Sequence, residues 1–198
     1  MEEAEPSKEE IIISLESIEE TLEERFVREI KEFEINGFTF ATREQIFHIG
    51  NPSKSLLSTG IDDLPIYLTQ VVLNKAVGNI KNKQDEGHEL QCKHLHTLLS
   101  SVHNPIVVIE SVTQPNSKVI FTELKDAKRE TAIVVIKHNT TVGRYRANVI
   151  VSIHTRSNNQ LEDLLTIAMS KGEILYVDRN KIKNWLKQVG KLQLLSKL

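Results

Sequence analysis

Apolar residues recur at steps of three and four through Ile11, Leu15, Ile18, Leu22, Phe26, Ile30 and Phe33, while mostly acidic residues fill the positions between. That spacing draws one apolar stripe along a helix. Ser7-Lys8-Glu9-Glu10 reads as its capping box and Asn36-Gly37 as its stop, so the pattern predicts a helix of roughly seven turns starting at Lys8. Propensity alone does not hold such a helix in water. Its stripe must dock on the rest of the chain, on a second copy, or on a neighbouring domain of a longer polypeptide.

Beyond it, Phe38-Thr39-Phe40 predicts a short strand. Turn chemistry at Asn51-Pro52-Ser53 and Thr59-Gly60-Ile61-Asp62-Asp63 flanks a short helical segment over 54–58, and Pro65 sets extended backbone. Val72, Leu73, Ala76, Val77 and Ile80 predict a helix over 69–81, followed by a polar loop over 82–87. Leu95, Leu98, Leu99 and Val102 predict a second helix over 90–102, stopped by Asn104-Pro105. The period then changes, because 106–110, 118–123, 130–138 and 147–154 are runs rich in Val and Ile. Turns at Pro115-Asn116-Ser117, Lys125-Asp126 and Thr141-Val142-Gly143 separate them, and connections this short favour an antiparallel meander. A helix over 161–170, a fifth strand over 173–177 and a helix over 181–189 close the chain. The order predicts an α+β domain over 37–198, a small mainly antiparallel sheet with helices packed on one face, preceded by an acidic amphipathic arm over 1–36.

Composition adds exclusions. With 198 residues, 39% hydrophobic and 26% charged, the chain can bury one core and is neither fibrous nor wholly disordered. It has no apolar run long enough to span a membrane, and its early Ile11 to Ile13 cluster follows an acidic stretch, so a secretory leader is not expected. Cys92, the single cysteine, allows neither an internal disulfide nor a cysteine-based zinc site, which points to a reducing, cytoplasmic setting. The net charge of −2 changes meaning once divided: the first 35 residues hold 13 Glu against four basic residues, so the rest of the chain carries +7. Residues 179–198 hold six Lys or Arg and no acid. This asymmetry suggests an anionic partner such as nucleic acid, or an acidic arm that covers a basic body.

The chain lacks a phosphate-binding glycine loop, an HExxH helix, a zinc cluster and a GxSxG elbow, so no metal or cofactor is expected. His94 and His96 stand two apart, a poor metal pair on a helix. The remaining polar set suits phosphodiester chemistry: Lys75 on the first helix, His88 ahead of the second, Lys137 and His138 on one strand, and His154 with Arg156 at the end of another. RNA cleavage without metal needs a base for the 2′-hydroxyl, an acid for the leaving oxygen, and a cation for the phosphorane charge. Histidine suits the first two roles and Arg or Lys the third.

Several ordered motifs then carry a resemblance. Phe47-His48-Ile49-Gly50-Asn51-Pro52-Ser53, Leu56-Leu57 and Gly60-Ile61-Asp62-Asp63-Leu64-Pro65-Ile66 are followed by Leu73-Asn74-Lys75, His88 and Asn104-Pro105-Ile106-Val107-Val108-Ile109-Glu110-Ser111. Val119-Ile120-Phe121-Thr122-Glu123-Leu124 and Gly172-Glu173-Ile174-Leu175-Tyr176-Val177-Asp178-Arg179-Asn180-Lys181 complete the series. Over 38–198 this series resembles the phage MuF C-terminal domain family of phages and mobile elements. Relatives tend to carry Ser-x-Tyr-Gly-Lys-Asp-Asn where this chain has Ser152-Ile153-His154-Thr155-Arg156-Ser157-Asn158, and a Gly where it has Glu89. The basic residue survives as Arg156, whereas Tyr, Gly and Asp are replaced.

The resemblance implies a barnase-, EndoU-, colicin- and RelE-like nuclease fold. With it comes the expectation of a metal-independent, toxin-type endoribonuclease with His88, His154, Arg156 and Lys75 as catalytic residues. Thr122, Lys137, Ser152 and Asn158 are the expected substrate contacts. RNA is the expected partner, with an immunity protein or a parent-polypeptide domain as further partners and self-association through the first helix. The alternative is a catalytically inactive nucleic-acid- or protein-binding module in which that helix mediates assembly.

Overall fold

The computed structural model describes residues 20–35, 46–77 and 90–198. The predicted capping box at Ser7 to Glu10, the stripe positions Ile11, Leu15 and Ile18, the stop at Asn36-Gly37, the strand at 38–40, Ile80, the 82–87 loop and His88 lie outside them.

The described chain opens with helix α1 (Leu22–Ile35). The periodicity predicts unbroken helix through this region, yet α1 has its own start. Thr21 accepts a hydrogen bond from the Glu24 backbone N–H, and the Glu24 carboxylate accepts from Thr21 N and Oγ1, a local capping box. Phe26, Ile30 and Phe33 on one face of α1 are buried, and the rings of Phe26 and Phe33 meet Phe47 edge-on at 6.2 and 6.1 Å. The described part of the stripe therefore docks on the body.

Strand β1 (Ile46–Gly50) carries Phe47, a short helix α2 (Lys54–Leu57) follows, and β2 (Ile66–Thr69) runs directly into α3 (Gln70–Ala76). The predicted helix over 90–102 is split into α4 (Cys92–Leu95) and α5 (Leu98–His103) by a turn at His96 and Thr97. Next come β3 (Val107–Glu110), β4 (Ser117–Lys125), β5 (Thr131–Val142) and β6 (Tyr145–Arg156) as an antiparallel meander. The chain ends with α6 (Asn158–Lys171), β7 (Ile174–Val177), α7 (Arg179–Gln188) and a 3-10 turn (Leu192–Lys197). No helix among the described residues is long and apolar enough to cross a membrane.

One seven-stranded sheet has the order β1-β2-β6-β5-β4-β3-β7. Only the β2–β6 pairing is parallel, so the α+β class and the mainly antiparallel sheet hold. The helices, however, clothe both faces of the sheet rather than one. Ala132, Val134 and Ile136 of β5 join Val108, Ile120 and Ile150 in a core with α1 to α5, whereas Ile133 and Val135 join Val107, Val119 and Phe121 in a second core with α6 and α7. Meander strands with near-continuous apolar runs are buried on both sides, which is what such runs signify.

Two polar devices tie the first face together. The buried Asn148 amide donates to Asp62 O at 2.9 Å and Leu64 O at 2.7 Å and accepts from Asn139 N, fixing the loop ahead of β2 onto β6. Gly50, with φ +107°, permits close approach: a Cβ there would stand 3.0 Å from Leu22 Cδ2 and 3.2 Å from His103 Nε2. His103 Nε2 donates to Ile49 O at 2.8 Å.

Replacing Phe47 by Ala removes the ring on which α1 docks. It is expected to cost about 3–5 kcal/mol in urea unfolding, whereas Phe47→Leu, which keeps most of the volume, costs clearly less. Burial, helped by the Arg25 charge, holds His48 below the ordinary imidazole value. Protons therefore bind the unfolded chain more readily than the folded one, and the folded state loses stability as pH falls below about 6.5. An NMR titration should give a His48 midpoint below that of a free imidazole, and His48→Gln should flatten this part of the stability profile.

Candidate functional site

The β5–β6 register decides which polar residues meet. Val135 pairs with Ser152, Ile133 with His154 and Thr131 with Arg156, so these three polar residues alternate along β6 and share the face of the second core. Ser157 then ends the strand by capping α6, accepting from Gln160 N while the Gln160 side chain accepts from Ser157 N. This immediate strand-to-helix turn sets the first turns of α6 beside Arg156.

Together they enclose a cavity of about 520 Å³. Val119, Ile133 and Val135 form its floor, residues 111–114 one wall, and Gln160, Asp163, Leu164 and Ile167 of α6 another, with Ser152, His154 and Arg156 along β6. The half-buried His154 imidazole shares a hydrogen bond of 2.9 Å between Nδ1 and Ser152 Oγ. Arg156 is exposed at the mouth and makes no ion pair among the described residues. Apolar floor, imidazole and guanidinium in a cavity of this size suit a small organic group carrying an anion. A guanidinium can pair with such an anion and an imidazole can pass a proton.

The other predicted site residues are elsewhere. Lys75 is exposed on α3, whose Leu73 and Ala76 pack into the first core, so its helix lies across the sheet from His154 and Arg156. Thr122 is fully buried, its hydroxyl donating to Ala132 O at 2.6 Å and accepting from Leu124 N, which leaves it a structural role. Lys137 is exposed two residues beyond Val135 on the same side of β5, outside the cavity wall, and Asn158 is exposed in the first turn of α6. His138 Nδ1 is 2.9 Å from Asp62 Oδ2, fastening the loop before β2. His94 Nδ1 accepts from Gln91 N at the start of α4, consistent with a structural histidine. Among the described residues no three His, Cys, Asp or Glu stand together as a metal site.

Asp163 and Gln160 also line the cavity and were not among the residues expected from the sequence. Their signal is the Ser157-x-x-Gln160 capping box, which announces a helix directly after the strand ending in Arg156.

Thr122 offers a clean control for these placements. Thr122→Val is expected to destabilise the fold by about 1–3 kcal/mol in urea unfolding, because Ala132 O and Leu124 N lose a buried partner. Ligand binding in the cavity should be unchanged, as read by titration calorimetry on the folded variant.

No curated protein and no solved structure matches the chain. Residues 79–184, more than half of its length, match the family described as Phage MuF-C-terminal domain. That span includes the cavity strands and α6 but not α1, β1, β2 or the segment with Lys75. On this match, carried by the same strands and helix that build the cavity, the chain belongs to the phage MuF C-terminal domain family.

Proposed function

We propose that the domain is an endoribonuclease-like effector of a phage or mobile element, and that the cavity between β6 and α6 is where RNA is cut without metal. The observation that carries this reading is the convergence of His154, Ser152 and Arg156 on one wall of a nucleotide-sized cavity. His154 takes the proton of a ribose 2′-hydroxyl through Ser152 Oγ, to which its Nδ1 is hydrogen-bonded, and O2′ attacks phosphorus. The bond from phosphorus to the 5′-oxygen breaks, leaving a 2′,3′-cyclic phosphate and a 5′-hydroxyl. Arg156 stabilises the extra negative charge of the phosphorane. Ser152 orients the imidazole through its 2.9 Å hydrogen bond. The leaving oxygen takes its proton from a second acid, for which His88 is the candidate within the family match.

The test is incubation of the full chain with a mixed RNA panel in EDTA. His154→Ala is expected to slow cleavage by about 10²–10⁴-fold and Arg156→Ala by about 10²-fold or more. Lys75→Ala should cut at the wild-type rate. Cleavage that survives loss of both His154 and Arg156 would overturn the assignment. Binding of RNA with no cleavage by wild type would make the domain a nucleic-acid-binding module instead.

A further inference from the structure

Helix α7 carries a charge pattern that the cavity does not use. Ile182, Trp185 and Leu186 bury its inner face, and Trp185 Nε1 donates to Thr131 Oγ1 at 3.2 Å. Its outer face presents Arg179, Lys183 and Lys187, all exposed and none in an ion pair among the described residues. These stand at i, i+4 and i+8, so they rise by about 6 Å per step along one side of the helix. Lys125 adds a fourth at the far end, its Nζ donating to Gln188 Oε1 at 2.8 Å. Other cations nearby are already neutralised, Lys181 by Glu123 at 2.7 Å and Lys191 by Glu162 at 3.0 Å. Asp178, next to Arg179, is turned into the helix, accepting from Asn180 N and Lys181 N.

We infer that this row on α7 is a docking track for the phosphate backbone of a single-stranded RNA, separate from the cavity that α6 borders. The inference rests on the reading of the cavity as an RNA site and extends it to where the rest of the strand lies. A line of evenly spaced cations fits a partner whose charges repeat at a similar interval, and such contacts position a nucleic acid without reading its bases. The track also sits on the right side of the molecule. α6 and α7 both pack on the second core, whereas α1, with six Glu against three basic residues over 20–35, packs on the first. A strand held on α7 thus shares a face with the cavity mouth and is kept away from the acidic helix. Trp185, buried on the opposite side of α7 and bonded to Thr131, fixes the helix on the sheet.

The test is binding, not cleavage. Full-length protein is titrated into a fluorescein-labelled 2′-O-methyl oligoribonucleotide, which cannot be cut, over a series of salt concentrations. The variant R179Q/K183Q/K187Q is expected to bind at least tenfold more weakly, with the slope of log Kd against log salt smaller by about 2, three contacts at ~0.7 each. The charge-matched control K31Q/K54Q/K93Q, changing exposed lysines on α1, α2 and α4, should bind within about twofold of wild type, since scattered surface charges contribute little. Equal losses in the two variants would overturn the track in favour of overall charge. Absence of RNA binding by wild type, or equal affinity for a poly-glutamate peptide, would overturn it too. The cleavage assay with His154→Ala reports on the cavity independently, so either reading can fail alone.

Discussion

The two-sided burial of β5 is the constraint on which the rest of this domain depends. Its residues alternate strictly, Ala132, Val134 and Ile136 into one core and Ile133 and Val135 into the other. A slip of one residue would exchange the two sets and spoil both cores at once. The register is also held by the Thr122 hydroxyl on Ala132 O and the Trp185 indole on Thr131 Oγ1. With β5 fixed, β6 has no freedom: Ile133 faces His154 and Val135 faces Ser152, so the polar residues must emerge on the side of α6 and α7. The candidate site is a consequence of packing before it is a matter of chemistry.

Where one packing rule dominated, the sequence was readable. The Val- and Ile-rich meander, the closing strand and the helices around it came through, because apolar runs bounded by turn residues leave few alternatives. β1 and β2 did not, although Phe47 and Leu68 are fully buried. They are short, β2 passes into α3 without a break, and β2 pairs in parallel with residues just over eighty positions away, which no local signal announces. The split of α4 from α5 was hidden for a related reason: a 3.6-residue period runs through the turn at His96 and Thr97. Helices on both faces were foreshadowed by strands without polar alternation, a feature consistent with double burial.

The candidate site was legible in part. His154, Arg156 and Ser152 were named from their place at a strand end and from the family pattern, and the register brings them together. Lys75 and Thr122 were named from the same pattern, yet one lies across the sheet and the other is consumed by backbone hydrogen bonds. Residue type and order do not report which face of a sheet a helix covers. Charge gained meaning in the same way. A net charge of −2 says little, whereas the fold sets the acidic α1 against one core and the basic α7 against the other. The described part of the acidic arm therefore does not lie over the cavity.

The central claim is that the cavity between β6 and α6 receives a nucleotide. The most direct measurement is NMR of the 15N-labelled full chain during titration with a 2′-deoxy dinucleotide, which binds without being cut. Amide shifts are expected to concentrate at 111–114, 152–156 and 160–167, and to be lost in Arg156→Ala. Shifts confined to α1 through α3, or a saturating response that Arg156→Ala leaves intact, would contradict it.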